Sequence, residues 1–437
     1  MRELLHTMQL TGHKAVVVGA GRSGLAAVRL LLALGATVRL LDKRTDALDD
    51  TDRIELEERH VVIRLGEHAS EDFAGADMVV LSPGVRSASL MPFFDPARPP
   101  QVLAELELAS WFADAPIIAI TGTNGKTTVT TLVGEFLRDA GKSVFVGGNI
   151  GTPLSDYILS DQPADVIVLE VSSFQLQNVS SFHPKVSILL NFTPDHLDWH
   201  EDIAEYFAAK LNIFSRMDKT DLAILPFDLK EILENKIELA CKRVYFTATN
   251  RFQAPTLPGR HNQANLEAAW LAVKAFGLSQ EQVQSTLNAF PGLPHRIEHV
   301  GMVNNVTFIN DSKSTTIDSM RAALESVDTP TLLLAGGVFK GGDLDSLTPL
   351  FKERLKAVGL FGDSRNDFEP TFSSICPTSY DPTLGEATRR LFALAEPGDT
   401  IVLSPGTASF DQYSGYAERG KDFVRVVQEL QAEQENS

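Results

Sequence analysis

The stretch PIIAITGTNGKTT, Pro116 to Thr128, constrains this chain more than any other. An apolar run enters a turn holding Gly122, Thr123, Asn124 and Gly125; Lys126, Thr127 and Thr128 follow and open the apolar-periodic segment VTTLVGEFL. Strand, tight turn and helix in immediate succession imply a parallel sheet, because the helix must pack back on the sheet face. The turn also has a chemical meaning. Backbone N–H groups of a glycine turn and of a helix N-terminus converge on an anion and can cradle phosphate. Lys126 is placed to neutralise β- and γ-phosphates, and the Thr127 hydroxyl to ligate Mg2+. The match to G-x-x-x-x-G-K-[ST] is incomplete, since Ile120 stands at the first glycine position and Gly122 lies inside the loop.

A phosphate site of this kind needs an acid at a neighbouring strand end to hold the metal. DVIVLE supplies one in Glu170. The next apolar run, VSILLNF, leads into TPDHLDWH, which gathers Asp195, His196, Asp198 and His200 at the mouth of the same sheet. From chemistry alone His196 is as readily structural as metal-ligating. Lys210 stands on the face defined by Ile203, Tyr206, Phe207 and Phe214, at helical spacing. A lysine snorkelling from an apolar face is the simpler account; a buried functional lysine is the alternative.

The flanking segments also alternate strands and helices. VVVGAGRSG, Val16 to Gly24, is a strand feeding G-x-G-x-x-G, with Asp42 eighteen residues beyond Gly24. That pattern fits a dinucleotide site and an NAD-dependent oxidoreductase. Such a reading leaves Lys126, Glu170, His196 and Lys210 unexplained. VVLSPG and IVLSPG, at Val79–Gly84 and Ile401–Gly406, each end an expected strand and place a turn where open α/β sheets bind ligands. Breaks at DPARPP and FPGLPHR divide the chain into segments 1–100, 101–293 and 294–437. The expected fold is α/β in three domains: an N-terminal Rossmann-like parallel sheet, a central P-loop ATPase-like sheet with helices, and a C-terminal Rossmann-like domain.

A net charge of −18 argues against nucleic acid or an anionic membrane as partner. Two cysteines, Cys241 and Cys376, build neither a disulfide framework nor a cysteine zinc site. MRELLHTMQL lacks the apolar core of a signal peptide. A cytoplasmic monomer without membrane insertion is expected.

GTNGKTT, LEVSSFQL, NFTPDHLDWH, YFAAKLNIF, GRHNQANLEAA, PHRIE, NDSKSTT and SPGTASFDQY occur in an order that spans nearly the whole chain. Together they resemble the Mur ligases, ATP-dependent amide-forming enzymes of peptidoglycan precursor synthesis. Within the family, three features point to the branch that adds D-glutamate to UDP-N-acetylmuramoyl-L-alanine. The first domain opens with G-x-G-x-x-G, the loop reads T-N-G rather than T-H-G, and no D-N-P-R segment occurs. Another Mur ligase or a folylpolyglutamate synthase is the alternative.

The resemblance implies ATP and two Mg2+ ions as cofactors, small-molecule substrates, and roles residue by residue. The loop Gly122–Thr128 would hold the ATP phosphates. Thr127, Glu170 and His196 would bind magnesium, and Lys210 would carry a carbamate that helps hold the second ion. Lys126, Glu170, His196 and Lys210 are the expected catalytic set. Asn262, Asn265, Arg296 and Asp311 match ATP-contacting positions. Arg22, Ser23, Asp42, Arg44, Ser82, Gly84 and Asn149 match the UDP-sugar site. Lys313, Thr315, Lys340, Ser409, Phe410 and Tyr416 match the amino-acid pocket. Two departures stand out: GGVFKGGD makes the loop before Lys340 more apolar than the family pattern, and Tyr416 replaces a common Phe.

Overall fold

The computed structural model describes residues 9–160, 162–197 and 199–435. Asp198 therefore lies outside the described residues, as does most of the N-terminal segment judged not to be a signal peptide.

Three sheets form. The first holds β1 (Lys14–Val18), β2 (Thr37–Asp42), β3 (Val62–Leu65), β4 (Met78–Leu81) and β5 (Gln101–Ala104), all parallel, in the order β3-β2-β1-β4-β5. The second holds β6 (Ile117–Thr121), β7 (Val144–Gly148), β8 (Val166–Glu170), β9 (Val186–Leu189), β10 (Leu222–Pro226) and β11 (Lys242–Phe246), in the order β11-β10-β9-β6-β8-β7. It too is parallel throughout. The third holds β12 (Glu298–Val303), β13 (Val306–Asn310), β14 (Thr331–Gly336), β15 (Leu355–Phe361), β16 (Thr378–Tyr380) and β17 (Thr400–Leu403), in the order β12-β13-β17-β14-β15-β16. Its β12–β13 pair is antiparallel and its other pairings are parallel.

Central strands are covered on both faces, so they read as continuous apolar runs rather than alternating ones. IIAIT, VIVLE and TLLLAG are buried at every position. The edge strands were harder to foresee. β12 is a hairpin partner that is mostly half-buried or exposed, and its turn residues Asn304 and Asn305 both have positive φ, 49° and 62°. Asn-Asn between two short β-rich runs is the signal that marks it. The first sheet also runs past the boundary expected at residue 100, because Gln101–Ala104 pairs with β4 as its outer strand.

The chain divides into two compact units, residues 1–252 with 264–286, and residues 253–263 with 287–437. The first two sheets share the first unit. The helix Arg22–Ala33 of the first segment packs on Glu105–Ser110 and Leu154–Leu159. Two buried carboxylates tie the helix Glu105–Ser110 to its neighbours. Glu105 accepts the Ser155 N–H at 2.7 Å, and Glu107 accepts the N–H groups of Ser181 and Phe182 at 2.8 and 3.0 Å. Among the described residues, no helix is long and apolar enough to cross a membrane.

Candidate active site

The loop after β6 is held from below by the loop after β9. Asn191 accepts the N–H groups of Thr123 and Asn124 on its side-chain oxygen at 3.1 and 2.9 Å, and donates its amide to the Asn124 carbonyl at 3.0 Å. The Thr123 hydroxyl donates to the Thr193 carbonyl at 3.1 Å and accepts the Thr193 N–H at 3.0 Å. Gly125 caps the helix Lys126–Asp139 in the left-handed region, φ 84°. Asn265 packs against it so closely that a Cβ there would lie 2.5 Å from the Asn265 Oδ1. This glycine is thus required twice, by conformation and by space. Lys126 reaches back over the loop, its Nζ 2.9 Å from the carbonyls of both Gly122 and Thr123. Thr128 is fully buried beneath the loop.

Thr127 and Glu170 come together as the metal reading requires. The Thr127 hydroxyl donates to the Glu170 carboxylate at 2.8 Å. Glu170 ends β8 and is buried, and its other oxygen accepts from Asn149 Nδ2 at 3.0 Å. Two hard oxygen donors at the mouth of a phosphate loop suit Mg2+, which takes oxygen ligands and keeps several waters. Asn149 therefore sits on the acid at this site and not among the residues that line the first-segment pocket. His196 takes a left-handed backbone, φ 55°, a conformation uncommon outside glycine and frequent at functional sites. Its ring meets Phe174 edge-on at 4.8 Å. His200 has a structural role: its ring is buried, with Nε2 3.0 Å from the Ser173 hydroxyl and Nδ1 3.3 Å from Gln177 Nε2.

Lys210 is buried rather than snorkelling, with 1% of its surface exposed. Its Nζ donates to the Gly122 carbonyl at 2.9 Å and lies 4.6 Å from the centre of the Tyr206 ring. Burial, and then the neighbouring Lys126 charge, hold its amine well below the usual lysine range. A neutral amine is the nucleophilic form, and so the form able to take up CO2 as a carbamate. Tyr206 was not singled out in the sequence, yet it is fully buried and its hydroxyl lies 3.3 Å from that of Thr123. Its position four residues before Lys210, on the same helix face, is the signal that finds it.

In the first segment a pocket of about 650 Å3 opens at the C-terminal ends of β1, β2 and β4. Arg22, Ser23, Asp42, Arg44, Ser82 and Gly84 all line it. Asp42 accepts the N–H groups of Ala20 and Arg44 at 2.8 and 2.9 Å, which fixes the turn around the glycines. Gly24 is pressed against that turn: a Cβ there would lie 1.8 Å from the Gly19 carbonyl oxygen.

The second unit brings together residues from the loops after β13, β14 and β17. Lys313 Nζ lies 5.2 Å from the Tyr416 ring centre, and Lys340 Nζ 5.6 Å from that of Phe410. Phe410 is exposed, Ser409 is buried and Thr315 is half-buried. The apolar departure in GGVFKGGD has a packing reason. Val338 exchanges both backbone hydrogen bonds with Ala408, and Phe339 meets Phe368 edge-on at 5.2 Å. Asn262 and Arg296 also belong to this unit, and Asn262 Nδ2 donates to the Pro258 carbonyl at 2.8 Å.

Asp311 is buried, accepting from the Ile297 N–H and the Ser404 hydroxyl at 3.2 Å each and from the Ser314 hydroxyl. Burial pushes its carboxyl up to about 6. A carboxyl raised on folding takes protons more readily in the native state, so stability falls as pH rises from the unfolded value near 3.8 to about 6. Asp311→Asn is therefore expected to melt higher than the parent above pH 6, by about 1–3 kcal/mol, and to converge with it below about pH 4. Thermal melts across that range check it.

Sequence reasoning missed Arg419. It is fully buried, and its guanidinium donates to the Ser312 hydroxyl and carbonyl at 3.0 and 2.9 Å, and to the carbonyls of Thr407, Gly336 and Ala408 at 3.1, 3.3 and 3.4 Å. Burial lowers it to about 10. One arginine among the charges of AERGKDF offers no sequence signal that separates it from a solvated helix face.

Comparison with known proteins identifies the family. Three families match: Mur ligase MurD-like, N-terminal domain, over residues 13–91; Mur ligase middle domain over 120–256; and Mur ligase, glutamate ligase domain, over 295–406. The UDP-N-acetylmuramoylalanine--D-glutamate ligase of Oleidesulfovibrio alaskensis is 50% identical, covering 98% of this chain and 96% of its own. That of Lawsonia intracellularis is 46% identical, covering 96% and 94%. Among solved structures, the MurF ligase of Thermotoga maritima in complex with ADP superposes with a TM-score of 0.60 at 16% identity, over 99% of this chain and 100% of that one. UDP-N-acetylmuramate-alanine ligase MurC from the same organism gives 0.57 at 18%, over 95% and 99%. Both share this three-domain α/β fold.

Proposed function

This chain belongs to the Mur ligase family, and from that premise we propose that it joins D-glutamate to UDP-N-acetylmuramoyl-L-alanine, with cleavage of ATP to ADP and phosphate. The relatives named above carry that activity in their names at up to 50% identity. The structural observation that carries the reading is the cluster of Lys126, Thr127, Glu170 and buried Lys210 around one phosphate loop.

The carboxylate of the UDP-sugar substrate attacks the γ-phosphate of ATP, forming an acyl phosphate and releasing ADP. The amine of D-glutamate then attacks the acyl carbon, and phosphate leaves as the amide forms. Activation is needed because a carboxylate has no good leaving group. The first step drives one anion onto another, so the work of the protein is electrostatic and positional. Lys126 and the N–H groups at the start of its helix would face the phosphates, those of Thr123 and Asn124 being taken by Asn191. Thr127 and Glu170, with His196, would hold Mg2+, and a carbamate on Lys210 would help to hold a second ion. Magnesium supplies charge neutralisation at the phosphates. The first segment, 1–100, would take the UDP-sugar, the central one, 101–293, ATP, and the last, 294–437, the amino acid. The chain acts in this reading as a cytoplasmic monomer on small molecules.

Phosphate release tests the proposal. Release is expected with ATP, UDP-N-acetylmuramoyl-L-alanine and D-glutamate together, and not when D-glutamate is replaced by L-glutamate, L-alanine, L-lysine or meso-diaminopimelate. Turnover with one of those instead would assign the chain to another branch. A folylpolyglutamate substrate taken in place of the UDP-sugar would exclude this branch.

A further inference from the structure

The pocket of the first segment contains a cation that none of the assigned roles uses. β1 lies between β2 and β4, and the chain steps outward from it first to one side and then to the other. The crevice at such a reversal is where an open sheet receives a ligand. Its floor is laid in order by Asp42 and Arg44 after β2, the glycine turn after β1, and Ser82 to Arg86 after β4. A nucleotide sugar with its uridine end toward Asp42 has its diphosphate over the glycine turn. Its sugar side then lies over the end of β4, where Arg86 stands.

Arg86 is exposed, and its guanidinium lies 5.3 Å from the ring centre of Trp199, which lines the same pocket from the loop that carries His196. Trp199 is itself held. Its indole N–H donates to Gln177 Oε1 at 3.0 Å, and the Phe174 ring lies 4.4 Å away, centre to centre. Stacking engages the face of a guanidinium and oxyanion binding engages its edge, so one arginine can do both.

We propose that Arg86 is a specificity-determining residue of this pocket, binding the sugar-side phosphate of a uridine diphosphate group while Trp199 aims it. The inference rests on the UDP-sugar reading above. It adds a residue whose spacing in SPGVRSASL carries no phosphate-binding signature of its own. It also ties the substrate pocket to the His196 loop, since Phe174 touches both Trp199 and His196.

Calorimetric titration with UDP and with UMP tests it on the full chain. Arg86→Ala is expected to weaken UDP about tenfold or more, the scale of a lost charge-assisted contact, and to leave UMP unchanged. Arg86→Lys should recover part of the loss, and Trp199→Phe should retain more UDP affinity than Trp199→Ala. In the ligase assay, KM for the nucleotide sugar rises in Arg86→Ala while KM for ATP and for D-glutamate holds. Parental affinity for UDP in Arg86→Ala, or equal losses for UDP and UMP, would overturn the assignment. A parent protein that binds neither nucleotide would overturn the UDP-sugar reading itself, an outcome separate from failure of the Arg86 variant.

Discussion

Lys126→Ala is expected to lower ligase turnover by about a thousandfold or more, while UDP binding stays within about twofold of the parent. Lys126 is drawn over both the Gly122 and Thr123 carbonyls at the mouth of the phosphate loop, whereas Lys210 reaches the Gly122 carbonyl from the buried side. Lys126 is not among the residues that line the first-segment pocket. Its charge matters most as the transferring phosphoryl group passes between two anions, so the loss should fall on kcat more than on KM for the UDP-sugar. Lys126→Arg should rescue little, since a planar fork differs in shape and reach from a compact ammonium. Steady-state kinetics with a UDP titration alongside decide the matter. Near-parental turnover in Lys126→Ala would sink the assignment of this loop.

The second large effect concerns Lys210. Lys210→Met is expected to abolish ligation and yet to leave the fold as stable as the parent, or more so. The sign follows from linkage. A lysine whose amine is depressed on folding binds fewer protons in the native state than in the unfolded one. Native stability therefore falls as pH drops below the unfolded value of 10.5, and at neutral pH the buried amine is a cost to the fold. Methionine fills the same volume and removes that cost. A snorkelling or merely structural lysine predicts the reverse pair of results, retained activity with lost stability. Thermal melts and kinetics on one preparation separate the two. Partial recovery of activity in Lys210→Ala by a short carboxylate would identify the missing group as an oxyanion and not an amine.

The parts of the site legible in the sequence were those whose local pattern is also their geometry. GTNGKTT is strand, turn and helix in one stretch, so its residues land where spacing puts them. Glu170 was found for the same reason, as the last residue of an apolar run on the neighbouring strand. Lys210 was visible only as an anomaly of helical phase, and the competing snorkelling account fails because the carbonyl it bonds, Gly122, is distant in sequence. The Asn149–Glu170 hydrogen bond was not legible, because the pairing depends on the β7–β8 register. Asn191 and Arg419 escaped for a related cause: their partners come from other loops, and no local period encodes them. β5, β12 and β16 are outer strands without the continuous apolar run that marks a central one, whereas β10 also escapes although it lies inside the second sheet and its run LAILP is mostly buried.

Arg419 ties Ser312, Gly336, Thr407 and Ala408 to a single planar group, so three loops of the second unit share one rigid hub. If these loops take the amino acid, as proposed above, they have little freedom left to lose when it arrives. The entropy of binding then falls mainly on the ligand. For inhibitor chemistry the consequence is direct: constraining a glutamate mimic into its bound shape should raise affinity nearly in full, because the receptor side has already been organised by the arginine beneath it.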